Sequence, residues 1–299
     1  MLRERRLPGA LPVIRMCRGL ALDRSGIYRS QPKPTEHEMA LRDAIQRIAV
    51  AWPNYGYRMI THQLRRQKWK VGTRRVRRIM REDNLLCLRR RKSWIRYPRH
   101  KLPRYPNLAA GFMPTGIDQL WIADLTYIRL CLGFVYLAVI LDAFSRRAIG
   151  WALGKVLDAE LTVVALRMAL QRRRPGLGCI HHSDGGMQYA AYDYVDLLDQ
   201  HGLRPSMSRP GTPTDNPRCE RFIRTLKYDE VYLRDYESFE EAHASIGKFI
   251  DIVYNQKRLH SMLGYVPPAE FEASLSNLST QSADSTAATT TMTSLPSLT

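Results

Sequence analysis

The residue pattern changes at position 119, and this change limits the fold more than any other feature of the chain. Three runs rich in apolar, β-branched and aromatic residues follow, with a turn at Gly133 between the first two: QLWIADLTYIR, GFVYLAVILDAFS and RRAIGWAL. Such runs predict a three-stranded antiparallel meander. Helical patterns at 159–173, 194–202, 218–232 and 239–256 then surround short strand patterns at 178–184 and 205–208. This order predicts an α/β fold, a mixed five-stranded sheet with helices on its faces.

Charge is divided unevenly along the chain. The 299 residues include 46 Lys and Arg against 28 Asp and Glu, a net charge of +18. Residues 1–105 hold 28 basic and 7 acidic side chains (+21), whereas residues 106–299 hold 18 and 21 (−3). The basic front third predicts a polyanionic partner, with nucleic acid as the first candidate, because neutralising phosphates releases counterions. A basic tail on an unrelated domain is the alternative.

Three short helical patterns occupy this basic region, at 40–50, 57–67 and 73–85. Thr73 is placed to cap the last of them. Apolar residues line one side of that helix, and five arginines cover the rest: Arg74, Arg75, Arg77, Arg78 and Arg81. The arrangement predicts an all-α helix-turn-helix unit that lays its last helix on DNA. A solvated basic face is the alternative.

The composition predicts five segments. They are a weak helix-turn-helix-like segment at 1–35, a DNA-binding helix-turn-helix domain at 36–90, a basic linker at 91–114, an α/β catalytic domain at 115–272 and a disordered tail at 273–299. The five cysteines form no C-x-x-C pair, so we expect reduced thiols. No apolar run approaches the roughly 20 residues of a membrane span, and no signal peptide is evident. We therefore expect a soluble cytoplasmic protein.

Three acidic residues stand at positions suited to chemistry. Asp124 lies within an apolar strand pattern, Asp184 ends another strand, and Glu220 lies near a helix start. A carboxylate inside a buried strand is costly unless a cation or hydrogen bonds compensate it. Oxygen ligands without nearby cysteine favour Mg²⁺ or Mn²⁺, and a pair of such ions supports in-line displacement at phosphorus. The sequence thus predicts a metal site for phosphodiester chemistry.

Other residues near these positions are weaker candidates. Asp142 and Asp215 have spacings that allow either to replace a member of the set, and His181 and His182 are less favoured ligands. Tyr127, Tyr189 and Trp121 are interpreted as walls of the site rather than catalysts. Arg224 and Lys227 follow Glu220 at four and seven residues, so all three share one helix face that can hold metal at one end and DNA phosphate at the other.

Several longer motifs carry a resemblance to a known family. The segments W-x-x-D-x-T-Y at 121–127, LDAFSR at 141–146, HSDGGMQY at 182–189 and SMSRPGTPTDNPRCERFIRTLK at 206–227 closely resemble insertion sequence 3 family transposases, second reading frame. These belong to the DDE transposase and retroviral integrase superfamily. Similarity extends over roughly 10–272, including YGYRMITHQLRR and YNQKRLHSMLGYVPPAEF.

The resemblance implies a ribonuclease H-like catalytic core over 115–272, with Asp124, Asp184 and Glu220 as the catalytic, metal-binding triad. Lys227 matches a lysine that contacts DNA near the cut end. Such enzymes recognise terminal inverted repeats of double-stranded DNA, cleave the element ends with water, and join the freed 3′-OH to another phosphodiester. Family members act as oligomers on DNA and usually as fusions with an upstream-frame product. They work in the bacterial cytoplasm, in association with the nucleoid.

Two other functions remain open at this stage. A DNA-binding regulator would use the front helices and no catalysis, but it leaves a carboxylate within the first strand unexplained. A ribonuclease H-like nuclease would hydrolyse without joining, and it does not obviously need a sequence-reading front third.

Overall fold

A computed structural model of the chain describes residues 13–19, 35–85, 104–209 and 215–276. The chain divides into two compact units, 1–47 and 48–299. Helix α1 covers Val13–Gly19 and helix α2 covers Glu36–Ala51, so that α2 begins in the first unit and ends in the second. Most of the predicted weak helix-turn-helix-like segment therefore lies outside the described residues.

Two amphipathic helices follow in the second unit. Helix α3 covers Tyr57–Arg66 and α4 covers Thr73–Glu82. Both bury an apolar stripe at helical spacing, consisting of Ile60 and Leu64 in α3 and of Val76, Ile79 and Met80 in α4. The predicted Thr73 cap is wrong. Gly72 takes the extended backbone of an N-cap, with φ −90° and ψ 148°, so Thr73 is already the first helical residue.

The sheet has five strands and is mixed, as the sequence predicted, and their order is β3-β2-β1-β4-β5. The first three strands pair antiparallel, while β4 runs parallel to β1 and β5 parallel to β4. Their bounds are β1 Leu120–Arg129, β2 Phe134–Asp142, β3 Ala148–Gly154, β4 Ile180–Ser183 and β5 Arg204–Met207. This antiparallel meander continued by parallel strands is a ribonuclease H-like sheet.

Helices cover both faces of the sheet. One face packs against α5, Ala159–Arg172, and α6, Tyr192–Gln200. The other packs against α7, Pro217–Asp229, and α8, Phe239–Lys248, which continues as a π-helix over Phe249–Lys257. Short 3-10 turns cover Met187–Ala190, Val231–Leu233 and Ser261–Leu263. Residues 268–276 are helical, so residues 273–276 continue a helix that the sequence had assigned to the tail.

Side chains along β1 alternate between the two faces. Leu120, Ile122 and Ile128 join the core beneath α7 and α8, whereas Trp121 and Ala123 join the core beneath α5 and α6. Strand geometry then places residue 124 on the α7 face. The fold thus turns the carboxylate of β1 toward the helix that carries Glu220.

Residues after α2 contact the C-terminal part of the same unit. Asn54 Nδ2 donates to the Tyr228 carbonyl at 2.9 Å, and Tyr55 Oη accepts from the Leu259 amide at 2.9 Å. Arg66 forms a two-pronged ion pair with the Glu270 carboxylate, at 3.0 and 2.6 Å. Within the second unit, α3 and the turn before it therefore contact α7 and the segment that follows the π-helix.

Four cysteines in the described ranges are free thiols: Cys17, Cys131, Cys179 and Cys219. Cys87 lies outside those ranges, as do 91–103 of the predicted linker and 277–299 of the predicted tail. In the same ranges, none of the helices combines the length and the apolar character that crossing a bilayer requires.

Candidate active site

The register between β1 and β4 brings Asp124 and Asp184 to the same level of the sheet. Leu120 lies beside Ile180 and Ile122 beside His182. Continuing this parallel register by two residues sets Asp184 beside Asp124, with both side chains on the face that α7 covers. The sequence separates these two aspartates widely, and one strand pairing brings them together.

Two contacts fix the start of α7 on β1. The Asn216 side-chain amide donates to the Ala123 carbonyl at 2.9 Å, and the Cys219 thiol donates to the Ile122 carbonyl at 3.4 Å. Pro217 occupies the first turn of the helix, where its missing N–H leaves no bond unmade. Glu220 follows one residue after the buried Cys219, so its carboxylate joins the site from the helix side.

We call the three carboxylates the acidic triad, and two of them, Asp184 and Glu220, act electrostatically on Asp124. The pKa of Asp124 is raised well above its usual range, first by burial and then by the nearby charge of Asp184, with Glu220 adding a smaller effect. A hydrogen bond from the Leu125 amide to Asp124 Oδ1, 2.8 Å long, opposes the shift. Negative charges concentrated in this way attract a cation.

The Gly-Gly pair after Asp184 serves the geometry of that carboxylate. The Gly186 amide donates to Asp184 Oδ1 at 3.1 Å. A Cβ placed on Gly186 would lie 2.9 Å from the same oxygen, and one on Gly185 would lie 3.3 Å from Nη1 of Arg104. Glycine at 186 therefore leaves room for the Asp184 carboxylate in its observed position.

Lys227 lies at the edge of the acidic triad. Its Nζ is 4.4 Å from the ring centroid of Tyr127. Burial lowers the pKa of Lys227, while the attraction of Asp124 opposes that shift. Arg224 is exposed on the same helix, with its guanidinium 5.5 Å from the ring centroid of Tyr228. One face of α7 therefore carries the acidic Glu220 near its N-terminus and the basic Arg224 and Lys227 further along.

Both histidines before Asp184 have structural hydrogen bonds. His181 Nε2 lies 3.0 Å from Tyr194 Oη, and burial lowers the pKa of His181 to about 3. The ring nitrogens of His182 lie 2.9 and 3.0 Å from the hydroxyls of Ser206 and Ser208. These bonds occupy both ring nitrogens of His182 and Nε2 of His181, which a metal ion would otherwise need.

The two other aspartates also have structural roles. Asp142 is buried and accepts the backbone amides of Asp118, Phe144 and Ser145 at 2.7, 3.0 and 2.7 Å. Asp215 accepts hydrogen bonds from Arg209, which hold its pKa at about 2. Neither carboxylate is among the charges that act on Asp124.

Two of the three aromatic residues interpreted as walls of the site lie near the acidic triad, and the third does not. Tyr127 contacts Lys227, and Tyr189 is buried near Asp184 and Asp124, which help burial and Tyr194 to raise its pKa. Its hydroxyl has no hydrogen-bond partner within the described ranges. The interpretation of Trp121 is wrong. It packs on the opposite face of β1, because successive side chains of a strand alternate, and its Nε1 donates to Asp118 Oδ1 at 2.9 Å.

Helix α4 carries the five predicted DNA-binding arginines. Arg74, Arg77, Arg78 and Arg81 are exposed and Arg75 is half-buried. The Arg77 guanidinium lies 5.4 Å from the ring centroid of Tyr57, and Arg78 pairs with Glu82 at 3.7 Å. The basic surface of α4 faces away from the apolar stripe that α4 buries.

Comparison with known families and proteins gives matches over most of the chain. Integrase core domain models match residues 114–213 and 201–268, and an HTH-like domain model matches residues 36–93. An insertion element IS600 uncharacterized 31 kDa protein of Shigella sonnei is 38% identical over 264 residues, covering 86% of this chain and 97% of that protein. Transposase InsF for insertion sequence IS3A of Escherichia coli strain K12 is 35% identical over 266 residues, covering 86% of this chain and 92% of that protein. The chain belongs to the insertion sequence 3 family of transposases.

Solved structures include more distant neighbours of this transposase. The catalytic core domain of BIV integrase is 21% identical, with a TM-score of 0.41, covering 54% of the transposase and 98% of that domain.

Two residues of the transposase site escaped sequence reasoning. Asn216 ties α7 to β1, and Arg104 approaches the backbone at Gly185 from the segment assigned to the linker. The asparagine four residues before Glu220 was a usable signal, because one helical turn separates them. Arg104 gave no signal, since its position depends on how residues 104–114 run across the body.

Proposed function

We propose that this transposase binds the terminal inverted repeats of its insertion sequence and catalyses metal-dependent DNA cleavage and strand transfer. The observation that carries the proposal is the convergence of Asp124, Asp184 and Glu220 on one face of a ribonuclease H-like sheet. Three carboxylates kept near one another oppose folding unless a positive ligand compensates them, so their arrangement favours a metal-dependent reaction.

The donor set of the acidic triad fits a hard divalent ion. All donors are carboxylate oxygens, and the raised pKa of Asp124 reflects the negative charge gathered there. The described ranges contain no group of three His, Cys, Asp or Glu side chains already close enough to hold a metal. We therefore propose that the triad draws together around Mg²⁺ or Mn²⁺, with two ions as the working number.

The residues of the site divide the work between chemistry and DNA positioning. Divalent ions, when bound, activate an attacking oxygen and stabilise a leaving one. Lys227 and Arg224 are proposed to hold backbone phosphate beside the cut end, Lys227 with its amine directed over Tyr127 toward the triad. Water attacks the phosphodiester at the element end, and the freed 3′-OH then attacks a second phosphodiester without a covalent enzyme intermediate.

The front of the chain is proposed to select the DNA. Five arginines on α4 supply the positive surface, and the charge of +21 over residues 1–105 strengthens binding to duplex DNA. We also propose the five segment boundaries predicted from composition and a homo-oligomer on DNA. The chain is further proposed to act in the cytoplasm in association with the bacterial nucleoid, and to be able to act as a fusion with an upstream-frame product.

The alternatives differ from this proposal in what the carboxylates are for. A DNA-binding regulator does not need the acidic triad, and it leaves three mutually repelling carboxylates without a purpose. A ribonuclease H-like nuclease needs the triad but does not join strands. Strand joining therefore separates the transposase from both.

The test uses the full chain and a labelled duplex that carries the ends of its own element, with Mg²⁺ or Mn²⁺. Asp184→Asn removes a triad charge with little change in shape, and Asp193→Asn makes the same change at an exposed position of α6. Nicking and joining by wild type and Asp193→Asn, but not by Asp184→Asn, is the expected result. If Asp184→Asn cleaves at the wild-type rate, the catalytic proposal fails. If all three proteins bind without cleaving, addition of the upstream-frame fusion distinguishes a regulator from an incomplete enzyme.

A further inference from the structure

Three arginines lie near one another on the side of α7 that turns away from the acidic triad. Arg146 occupies the turn between β2 and β3, and Arg218 and Arg221 lie one helical turn apart on α7. The turn approaches this part of α7, because the Arg146 carbonyl accepts from Tyr254 Oη at 3.1 Å and the Tyr254 ring centroid lies 4.6 Å from that of Phe222 on α7. At 100° per residue, Arg218 and Arg221 are roughly 60° apart around the helix axis, and Glu220 is roughly 100° or more from either. We call these three residues the arginine cluster.

The members of the arginine cluster repel one another. Burial lowers the pKa of Arg146 to about 10, and the positive charges of Arg218 and Arg221 act in the same direction. Of the residues described, no carboxylate lies within ion-pair distance of any member. Neighbouring arginines differ in this respect, since Arg147 pairs with Glu272 at 2.6 Å and Arg258 with Asp229 at 2.8 Å.

The carboxylate that attracts Arg146 and Arg218 is already committed elsewhere. Asp142 is fully buried, and its two oxygens accept three backbone amides of neighbouring turns. Its single charge attracts Arg146 and Arg218 from beyond ion-pair distance and cannot balance three guanidinium groups. The positive charge of the cluster is thus left for a ligand.

The turn holds Arg146 in an uncommon backbone conformation. Its φ is 64°, in the left-handed region that residues with a Cβ seldom adopt. Its amide donates to the Asp142 carbonyl at 2.9 Å, and its carbonyl accepts from Tyr254 Oη at 3.1 Å. Four other non-glycine residues in the described ranges share a positive φ, so this conformation belongs to the turn, and the two hydrogen bonds fix it there. The turn therefore fixes the position from which the Arg146 side chain extends.

Solvent reaches the cluster, because Arg221 is exposed and Arg146 and Arg218 are half-buried. Planar guanidinium groups match phosphate oxygens in geometry and charge. We propose that the arginine cluster binds a backbone phosphate of duplex DNA at a position other than the bond being cleaved. This inference rests on the proposed function. It means that DNA contacts two sides of α7, with the reacting bond at the acidic triad and a second phosphate at the cluster.

The cluster variant that tests this combines Arg146→Asn, Arg218→Gln and Arg221→Gln, because asparagine tolerates left-handed backbone better than glutamine. Its control removes the same charge at exposed positions elsewhere: Arg167→Gln on α5, Arg204→Gln on β5 and Lys248→Gln on α8. Affinity for the element-end duplex is measured over a range of salt concentrations. We expect the cluster variant to bind at least tenfold more weakly, with a salt slope reduced by about 0.9 for each phosphate that is no longer neutralised. The control should stay within threefold of wild type.

Folding is checked separately from binding. The single variant Arg221→Gln changes only an exposed side chain, so it keeps the test valid if the triple variant unfolds. A loss of about fivefold in affinity is expected, against less than twofold for the single control Arg167→Gln. The paired variant Arg218→Lys and Arg221→Lys keeps the charge and should recover more affinity than the glutamine pair.

The results that overturn the proposal are distinct. Wild type that binds and cleaves, together with a cluster variant that matches the control, refutes the cluster alone. Wild type that does not bind the duplex, either alone or as the upstream-frame fusion, refutes both this inference and the proposed function. If inorganic phosphate raises the melting temperature of wild type but not of the cluster variant, and DNA affinity is equal, the cluster is a small-anion site and the inference is also wrong.

Discussion

Replacing Gly186 by alanine tests whether the position of the Asp184 carboxylate controls cleavage. The new Cβ would lie 2.9 Å from Asp184 Oδ1 and 3.2 Å from Gln188 Oε1, whereas ordinary contacts of a Cβ begin at 3.4 Å. The carboxylate must therefore move by about 0.5 Å. Gly186 has φ −70° and ψ 149°, which alanine adopts without strain. Both neighbouring oxygens end side chains, so the fold should tolerate the change.

The catalytic cost should exceed the structural one. A misplacement of about 1 Å at a reacting group costs on the order of 100-fold in rate, so about half that distance should cost about tenfold. That loss corresponds to about 1.4 kcal/mol of transition-state stabilisation. The free energy of unfolding should change by less than about 1 kcal/mol, because no backbone atom has to move.

Single-turnover cleavage of the element-end duplex measures the rate, and urea unfolding measures stability. Gly176→Ala is the matched control, because a Cβ there meets no atom within 4 Å. Cleavage by Gly186→Ala at the wild-type rate would show that the carboxylate position is not critical. A large loss of stability would instead show that the loop, rather than the ligand, had been disturbed.

Three further outcomes are expected. Gly150→Ala should destabilise the protein by about 3 kcal/mol in urea unfolding, because its Cβ would collide with the Ala165 carbonyl of α5. A rotamer change cannot relieve overpacking against backbone. A change below about 0.5 kcal/mol in the free energy of unfolding would contradict this packing. Glu272→Gln should lower the free energy of unfolding by about 3 kcal/mol at neutral pH, because it removes a negative charge that compensates the mostly buried Arg173. Glu270→Gln, at the exposed ion pair with Arg66, should lower it by less than about 1 kcal/mol. Burial acts to raise the pKa of Glu272, but hydrogen bonds from a serine and two arginines outweigh it and hold the pKa below its ordinary value. That stabilisation is present above the ordinary pKa of glutamate and is lost as pH falls through the folded-state pKa. The difference in unfolding free energy between wild type and Glu272→Gln should therefore become smaller in acid. A difference that stays constant with pH refutes an electrostatic origin. Excess Mg²⁺ or Mn²⁺ should raise the unfolding free energy of wild type, by about 2.7 kcal/mol at 100 times the dissociation constant, and should not raise that of Asp184→Asn.

Periodicity made the sheet and its covering helices predictable, because strands and helices repeat their apolar residues at different intervals. Local rules were less reliable at element ends. Thr73 has the chemistry of a cap, yet Gly72 takes that position, and the helical pattern at 239–256 contains a change from α-helix to π-helix at Phe249. Backbone conformation at such places depends on what packs against them.

The acidic triad was also predictable in part from the sequence and depends in part on tertiary structure. The sequence by itself determined that Asp124 stands within an apolar strand and that Glu220 begins a helix, since these are properties of neighbouring residues. Only the tertiary structure decided that the β1–β4 register sets Asp184 beside Asp124, and that alternation turns Trp121 to the opposite face. The arginine cluster lies further still from sequence reasoning, because Arg146 meets Arg218 and Arg221 only where the β2–β3 turn approaches α7. Pairing and packing between distant segments set these positions, and no local pattern records them.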